Sequence, residues 1–227
     1  MICIQILGVH RKTSNIAVLL ELGRVPLNLY AIKSAIKNWE RVKSGNANVH
    51  VSSSHEDAFT KDLLWVRNII NLLEQNGLGC FYHYDFQITH YFIYKKIFQR
   101  LSDKFHQDAF STLKDNSSKL RTYGLIKTEV GMEGYLSEIP NPSRRQPLTR
   151  FRLSNHALNI EKGWHNNIPR DLRYCPFCPT RVETEIHFLL ECNAYVDERN
   201  QLLEPLPSIE HIPSLPKRFT YILYSPN

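Results

Sequence analysis

Apolar residues along this chain recur mostly three and four positions apart, the spacing of helices that bury one face. Thr13 or Ser14 can cap a helix through Ile16, Val18, Leu19, Leu20 and Leu22 that Gly23 stops. Pro26 fits the first turn of the next helix, with Leu29, Ile32, Ile36 and Trp39 on its apolar stripe. Lys33, Lys37, Arg41 and Lys43 give it a solvated flank. Residues 45–54 are polar and read as a loop, after which Ser53 and Glu56 form a capping box. One helix should then carry Phe59, Leu63, Val66, Ile70 and Leu73 to a stop at Gly77. Asp85 can cap a long helix with Ile88, Phe92, Phe98, Leu101, Phe105 and Leu113 inward. The aromatics Tyr82, Tyr84, Tyr91, Phe92 and Tyr94 read as core, with base stacking the functional alternative.

Residues 115–119 break this pattern and mark the best boundary. Leu120 to Val130 fits either a short strand or a helical turn, and Pro140 and Pro142 mark a turn. Leu148, Phe151, Leu153, Ala157, Leu158 and Ile160 suit one helix ending at Gly163, with Arg144, Arg145 and Arg152 near its exposed side. A further helix fits Tyr195 to Leu203. Pro205, Pro207, Pro213 and Pro216 make the tail irregular, although Phe219 to Tyr224 is apolar enough to dock. The expected fold is mainly α: a helical region over 1–115, a basic linker and small metal-stapled helical domain over 116–204, and a Pro-rich tail over 205–227. Ile2, Ile4, Ile6, Leu7 and Val9 need a partner surface, so the start of the chain reads as the tail of something larger.

The stretch with the clearest chemistry is Cys175-Pro176-Phe177-Cys178, followed eight residues on by His187 and four further by Cys192. Thiolates and imidazole are the donors Zn²⁺ prefers, and structural zinc sites take four of them. Thr180 and Glu183 have the form of a capping box, which would place His187 in a second helical turn. Cys192 lies about 140° further round an ideal helix, so the helix must loosen or end near Glu191 to Asn193, where Asn193 suits a left-handed cap. Four protein ligands leave no open position, which fits one structural ion per chain, Cys175, Cys178, His187 and Cys192 being its ligands. Two buried thiols or a redox couple is the plainer reading of the cysteine pair alone.

Composition adds little until charge is placed. With 42% hydrophobic and 22% charged residues, 227 residues make one large or two small ordinary domains. No apolar run approaches the length of a membrane span, and the start has no basic region of the signal-peptide kind. Five cysteines, three of them claimed by the metal, point to a reducing intracellular compartment. The net charge of +6 is carried by the window from Arg144 to Arg181, where Arg144, Arg145, Arg150, Arg152, Lys162, Arg170, Arg173 and Arg181 face only Glu161 and Asp171. Such asymmetry predicts a surface for a polyanion, RNA or DNA. If Arg150 and Arg152 each contact a phosphate, removing one should lower the salt slope by about 0.7 to 0.9.

No Gly-rich phosphate loop, HExxH motif, Gly-x-Ser-x-Gly elbow or paired aspartates occur, so the chain reads as a non-enzyme. It resembles the C-terminal part of LINE-type (non-LTR) retrotransposon reverse transcriptases. The match is carried by Ile6-Leu7-Gly8-Val9, Thr13 to Val18 and Glu21 to Leu27, by Ser118 to Tyr123, Leu148 to His156, Glu161-Lys162-Gly163 and Ile168-Pro169-Arg170, and by the Cys-x2-Cys-x8-His-x4-Cys run. The resemblance implies a module that grips RNA or DNA during target-primed reverse transcription, in a nuclear or cytoplasmic ribonucleoprotein, with the absent polymerase core a partner and no membrane involved. On it, Cys175, Cys178, His187 and Cys192 are zinc ligands, and the arginines between 144 and 181 contact phosphates, Arg170, Arg173 and Arg181 forming one patch. The alternatives are a zinc-stapled interaction scaffold, whose apolar N-terminus docks on a partner, and a retrotransposon relic without function.

Overall fold

A computed structural model of the chain describes residues 2–44, 47–83, 93–114, 119–206, 209 and 211–224. It is about 67% helical, with no strand among the described residues. In chain order the helices are α1 (Ile2–Leu7), α2 (Asn15–Glu21), α3 (Leu27–Lys43), α4 (Val49–Thr60), α5 (Leu64–Gln75), α6 (Cys80–His83) and α7 (Ile93–Leu113). There follow α8 (Tyr123–Ile126), α9 (Tyr135–Glu138), α10 (Pro142–Arg152), α11 (Asn159–His165), α12 (Val196–Leu203) and α13 (Leu215–Tyr224). The mainly α expectation holds. Two compact units form, Val25–Asp108 and the discontinuous pair Met1–Arg24 with Ala109–Asn227. No described helix is long and apolar enough to cross a membrane.

In the Val25–Asp108 unit the core is Ile36, Trp39, Ala58, Val66, Ile69, Leu73, Leu78, Tyr82, Ile93, Tyr94 and Ile97, with the Trp39 and Tyr82 rings stacked 5.6 Å apart. Tyr82 and Tyr94 are therefore packing residues rather than stacking platforms. Two helix boundaries differ from expectation. Asn48 Oδ1 accepts from the His50 amide at 2.9 Å, so helix begins at Val49, inside the stretch that reads as loop. Asn48 supplies the cap that Ser53 was expected to give. The single helix to Gly77 is instead two, broken at Asp62, whose φ of 49° is left-handed. The Asp62 carbonyl accepts from Arg67 Nε and Nη2 at 3.2 and 3.0 Å, which holds the break. Phe59 and Leu63, expected inward, are exposed as a result. The expected cap Asp85, with Tyr84, Ile88, Tyr91, Phe92 and most of the 115–119 boundary, lies outside the described residues.

In the other unit, α1 packs on α2 and α10, burying Leu7 and Val9 and leaving Ile2 and Ile6 exposed. Gly8 turns the chain at φ +64°, where a Cβ would lie 2.0 Å from Gln146 Nε2. The stretch expected to be one helix from Leu148 to Gly163 is two. Asn141 caps α10 by accepting from the Ser143 amide at 2.9 Å, and Pro142 takes the first position, where its missing N–H costs nothing. Left-handed Ser154 (φ 52°) lies in the break, and α11 follows. Gly163 sits inside α11 rather than ending it: a Cβ there would meet Arg173 Cγ at 2.5 Å. Leu120 to Val130 resolves as helical turn α8, and α13 docks through Phe219 and Leu223.

Candidate metal centre

The first two cysteines lie on the turn of a short hairpin. Tyr174 and Val182 form an isolated antiparallel bridge. The Cys175 amide donates to Arg181 O at 2.8 Å, and the Arg181 amide to Cys178 O at 2.9 Å. Glu183 closes the base through its amide to Arg173 O at 2.9 Å. Thr180 and Glu183 are consequently in the hairpin, not in a capping box. Thr184 Oγ1 accepts from the His187 amide at 3.0 Å, so helix starts at Glu185 and His187 stands in its first turn.

The expected loosening occurs, and it has a defined form. His187–Glu191 winds as a π-helix, and the Cys192 amide bonds the His187 carbonyl at 2.7 Å. Because π-helical bonds span five residues, positions five apart stand about one turn apart and share a face. Cys192 leaves the helix in extended conformation, and Asn193 enters a 3-10 turn rather than a left-handed cap. Arg199 closes this end, donating from Nε to Leu189 O at 3.0 Å and from Nη2 to Cys192 O.

The two elements bring all four predicted ligands together, their donor atoms within 4.8 Å of one another. Cys192 Sγ lies 3.8 Å from both Cys175 Sγ and Cys178 Sγ, far beyond a disulfide bond of about 2.05 Å. Burial pushes the Cys192 thiol up to about 11, against a hydrogen bond from the Ala194 amide and with the neighbouring sulfurs adding to the rise. His187 is buried, and neither ring nitrogen has a hydrogen-bond partner. Three sulfurs and an unpartnered imidazole in a closed cluster are a donor set that can hold a metal ion. Around it, Glu191 Oε2 lies 3.5 Å from His187 Nδ1 and 2.9 Å from Arg181 Nη2. A carboxylate there can orient an imidazole that binds an ion through Nε2. Phe188 and Tyr195, with ring centroids 4.8 Å apart, and Phe177 against Tyr195 pack beside the ligands.

Two buried ionic networks brace this unit. Arg152 is fully buried and donates from Nε to Glu21 Oε1 at 2.7 Å, from Nη2 to Glu133 and from Nη1 to Leu223 O at 2.8 Å. Burial pulls its basicity down, but Glu21 and Glu133 outweigh this and keep it charged. Tyr123 and Tyr135 donate to the two Glu21 oxygens at 2.9 and 2.7 Å, and burial followed by the Glu21 charge raises both phenols. Lys127 pairs with Glu133, so two cations balance two carboxylates. In the second network Arg121 bridges Glu161 and Glu185, at 3.1 and 2.8 Å, and His156 Nε2 meets Glu185 at 3.1 Å. Burial alone would raise Glu185; the His156 hydrogen bond and the Arg121 charge lower it. Glu185 opens the helix that presents His187, so this network ties the ligand helix to α11.

These networks correct the predicted phosphate contacts. Arg152, expected on an exposed face, is interior and saturated. Arg173 is buried too, donating from Nη1 to Ile160 O at 2.7 Å and from Nε and Nη2 to Ile168 O at 2.9 and 2.8 Å. It cannot share a patch with Arg170 and Arg181. Arg145 donates to Leu136 O at 3.0 Å, and Arg181 is exposed but paired with Glu191. Arg144, Arg150, Lys162 and Arg170 remain exposed. The partners Glu21, Glu133, Arg121 and Glu191 carried no separate sequence signal, except that Glu191 stands four residues after His187, one helical turn on.

No protein-family model, curated protein or solved structure matches this chain.

Proposed function

We propose that the chain is a zinc-stabilised nucleic-acid-binding module of the kind found in the C-terminal part of LINE-type reverse transcriptases, assisting the grip on RNA or DNA without a polymerase site of its own. The observation that carries this reading is the closed Cys175, Cys178, His187 and Cys192 cluster. Zinc is the ion it fits: Zn–S bonds of about 2.3 Å in a tetrahedron set sulfurs about 3.8 Å apart, the separation found for Cys192 and its two neighbours. Four protein donors mark a structural role, in which the ion fastens the 174–182 hairpin to the ligand helix. Exposed Arg144, Arg150, Lys162 and Arg170 belong to the same unit and suit phosphates rather than base edges. Such a protein works inside the cell, on ribonucleoprotein.

The competing reading is an interaction scaffold. It draws on the Val25–Asp108 unit, where Val49, Leu64 and Trp65 are 81%, 69% and 42% exposed. The N-terminus bears on it less, since Leu7 and Val9 are already covered within the chain. Titration of the full chain with single-stranded RNA and duplex DNA over a salt series separates the two. Affinity that falls linearly with log salt, and is lost on chelation, supports the module. Zinc-loaded protein that binds neither nucleic acid refutes it.

A further inference from the structure

Beside α10 lies a depression of about 840 Å³ lined by His10, Arg11, Lys12, Lys119, Arg150 and His165, with Val9 and Asn155. Four of these side chains are cations at neutral pH, and none of the lining residues is acidic. The four cations come from three separate parts of the sequence: the α1–α2 turn, the segment before α8 and α10. A sum of charge along the chain assigns the whole excess to residues 144–181 and misses three of the four cations.

The depression is a built feature. Gly8 O accepts from Gln146 Nε2 at 3.0 Å and from Arg150 Nε at 2.9 Å, which fastens the turn to α10. The His10 amide donates to Asn155 Oδ1 at 3.1 Å, and the Lys12 amide to His10 Nδ1 at 3.1 Å. The backbone that presents Arg11 and Lys12 is thus fixed before any ligand arrives, which lowers the ordering cost of binding. Arg150 spends only Nε on this bracing and keeps both terminal nitrogens. Among the described residues only Lys119 of these cations has an acidic neighbour, Glu161 at 3.4 Å, and that carboxylate is buried behind it. Like charges gathered in a concavity raise the local potential and disfavour each other until an anion enters.

We propose that this depression seats the phosphate backbone of a nucleic-acid strand, with Arg11, Lys12 and Arg150 as the contacts. The proposal rests on the nucleic-acid reading above and gives it a location. Its test is a salt series with a labelled single-stranded RNA on the full zinc-loaded chain, comparing wild type with Arg11→Ala/Lys12→Ala. Both side chains are exposed on a turn held by backbone bonds, so the thermal unfolding midpoint should not move. Losing two contacts lowers the slope of log K against log salt by about 1.4, at about 0.7 per phosphate for a single strand. Lys37→Ala/Lys61→Ala, two exposed lysines of the other unit, should leave it unchanged. A wild-type slope in the Arg11/Lys12 variant, with a reduced slope in Arg144→Ala/Arg170→Ala, overturns the location and leaves the nucleic-acid reading intact. Wild-type protein that binds no RNA at any salt overturns both.

Discussion

The Cys192 amide donates a 2.7 Å hydrogen bond to the carbonyl of His187, five residues earlier. That bond converts a spacing unsuited to an α-helix into one where two ligands share a face. The ligand geometry thus depends on backbone winding, and the winding is held at both ends, by Thr184 at His187 and by Arg199 at Cys192.

Glu191 should matter to the metal without binding it. Its carboxylate stands between His187 Nδ1 and Arg181, at 3.5 and 2.9 Å, where it can fix the imidazole. Glu191→Gln is expected to weaken zinc binding about 10- to 100-fold, as loss of an outer carboxylate does elsewhere. Competition against a chromophoric chelator measures this, and unchanged affinity would remove Glu191 from the site.

Arg152 should act on stability. Replacing it with Ala leaves Glu21 buried without a cation and Glu133 with Lys127 alone, at a cost of about 3–5 kcal/mol. Arg152→Lys should recover little, because one ammonium cannot reach Glu21, Glu133 and Leu223 O together. Urea unfolding tests both. A loss below about 1 kcal/mol, the size of an exposed pair, would contradict the network.

Gly163→Ala places a methyl group 2.5 Å from Arg173 Cγ, in a side chain whose nitrogens hold three hydrogen bonds to Ile160 O and Ile168 O. Overpacking of this kind costs about 1–3 kcal/mol. The paired variant Gly163→Ala/Arg173→Ala should show a smaller penalty for the methyl group, which a double-mutant cycle in urea detects; strict additivity would deny the contact.

Glu40 should give the Val25–Asp108 unit a pH dependence. Burial raises its carboxyl to about 7, opposed by hydrogen bonds from the Tyr94 and Ile93 amides, the Tyr94 bond being 2.7 Å. The folded state therefore holds the proton more tightly than the unfolded chain. The resulting stability is fully present below about 4.5 and lost as pH rises through about 7. Glu40→Gln keeps an acceptor for Tyr94 and stays neutral. Its stability advantage over wild type should grow across that window in thermal unfolding followed by tryptophan fluorescence, since Trp39 lies in this core. A difference independent of pH would contradict the assignment.

Local patterns made α2, α3 and the Cys175, Cys178, His187 and Cys192 cluster legible, since periodicity and spacing report what lies within one or two turns. The loosening before Cys192 was legible for the same reason: five residues do not fit an α-helical face. The breaks at Asp62 and at 153–158 were not, because non-glycine residues take left-handed conformations there and neighbouring structure holds them. Arg152 and Arg173 misled most. Each looks like part of a basic surface, but Arg152 finds Glu21 131 residues away and Arg173 reaches carbonyls beneath a glycine. The cations of the depression were scattered for the same reason, their proximity being a property of the fold.

The most direct test of the central claim is metal content with X-ray absorption at the zinc edge on the purified full chain. One zinc per chain is predicted, bound by three sulfurs at about 2.3 Å and one nitrogen at about 2.0 Å, and lost in Cys178→Ser/His187→Ala. Protein that folds with all four residues intact, yet takes up no zinc or holds it through oxygen donors, would contradict it.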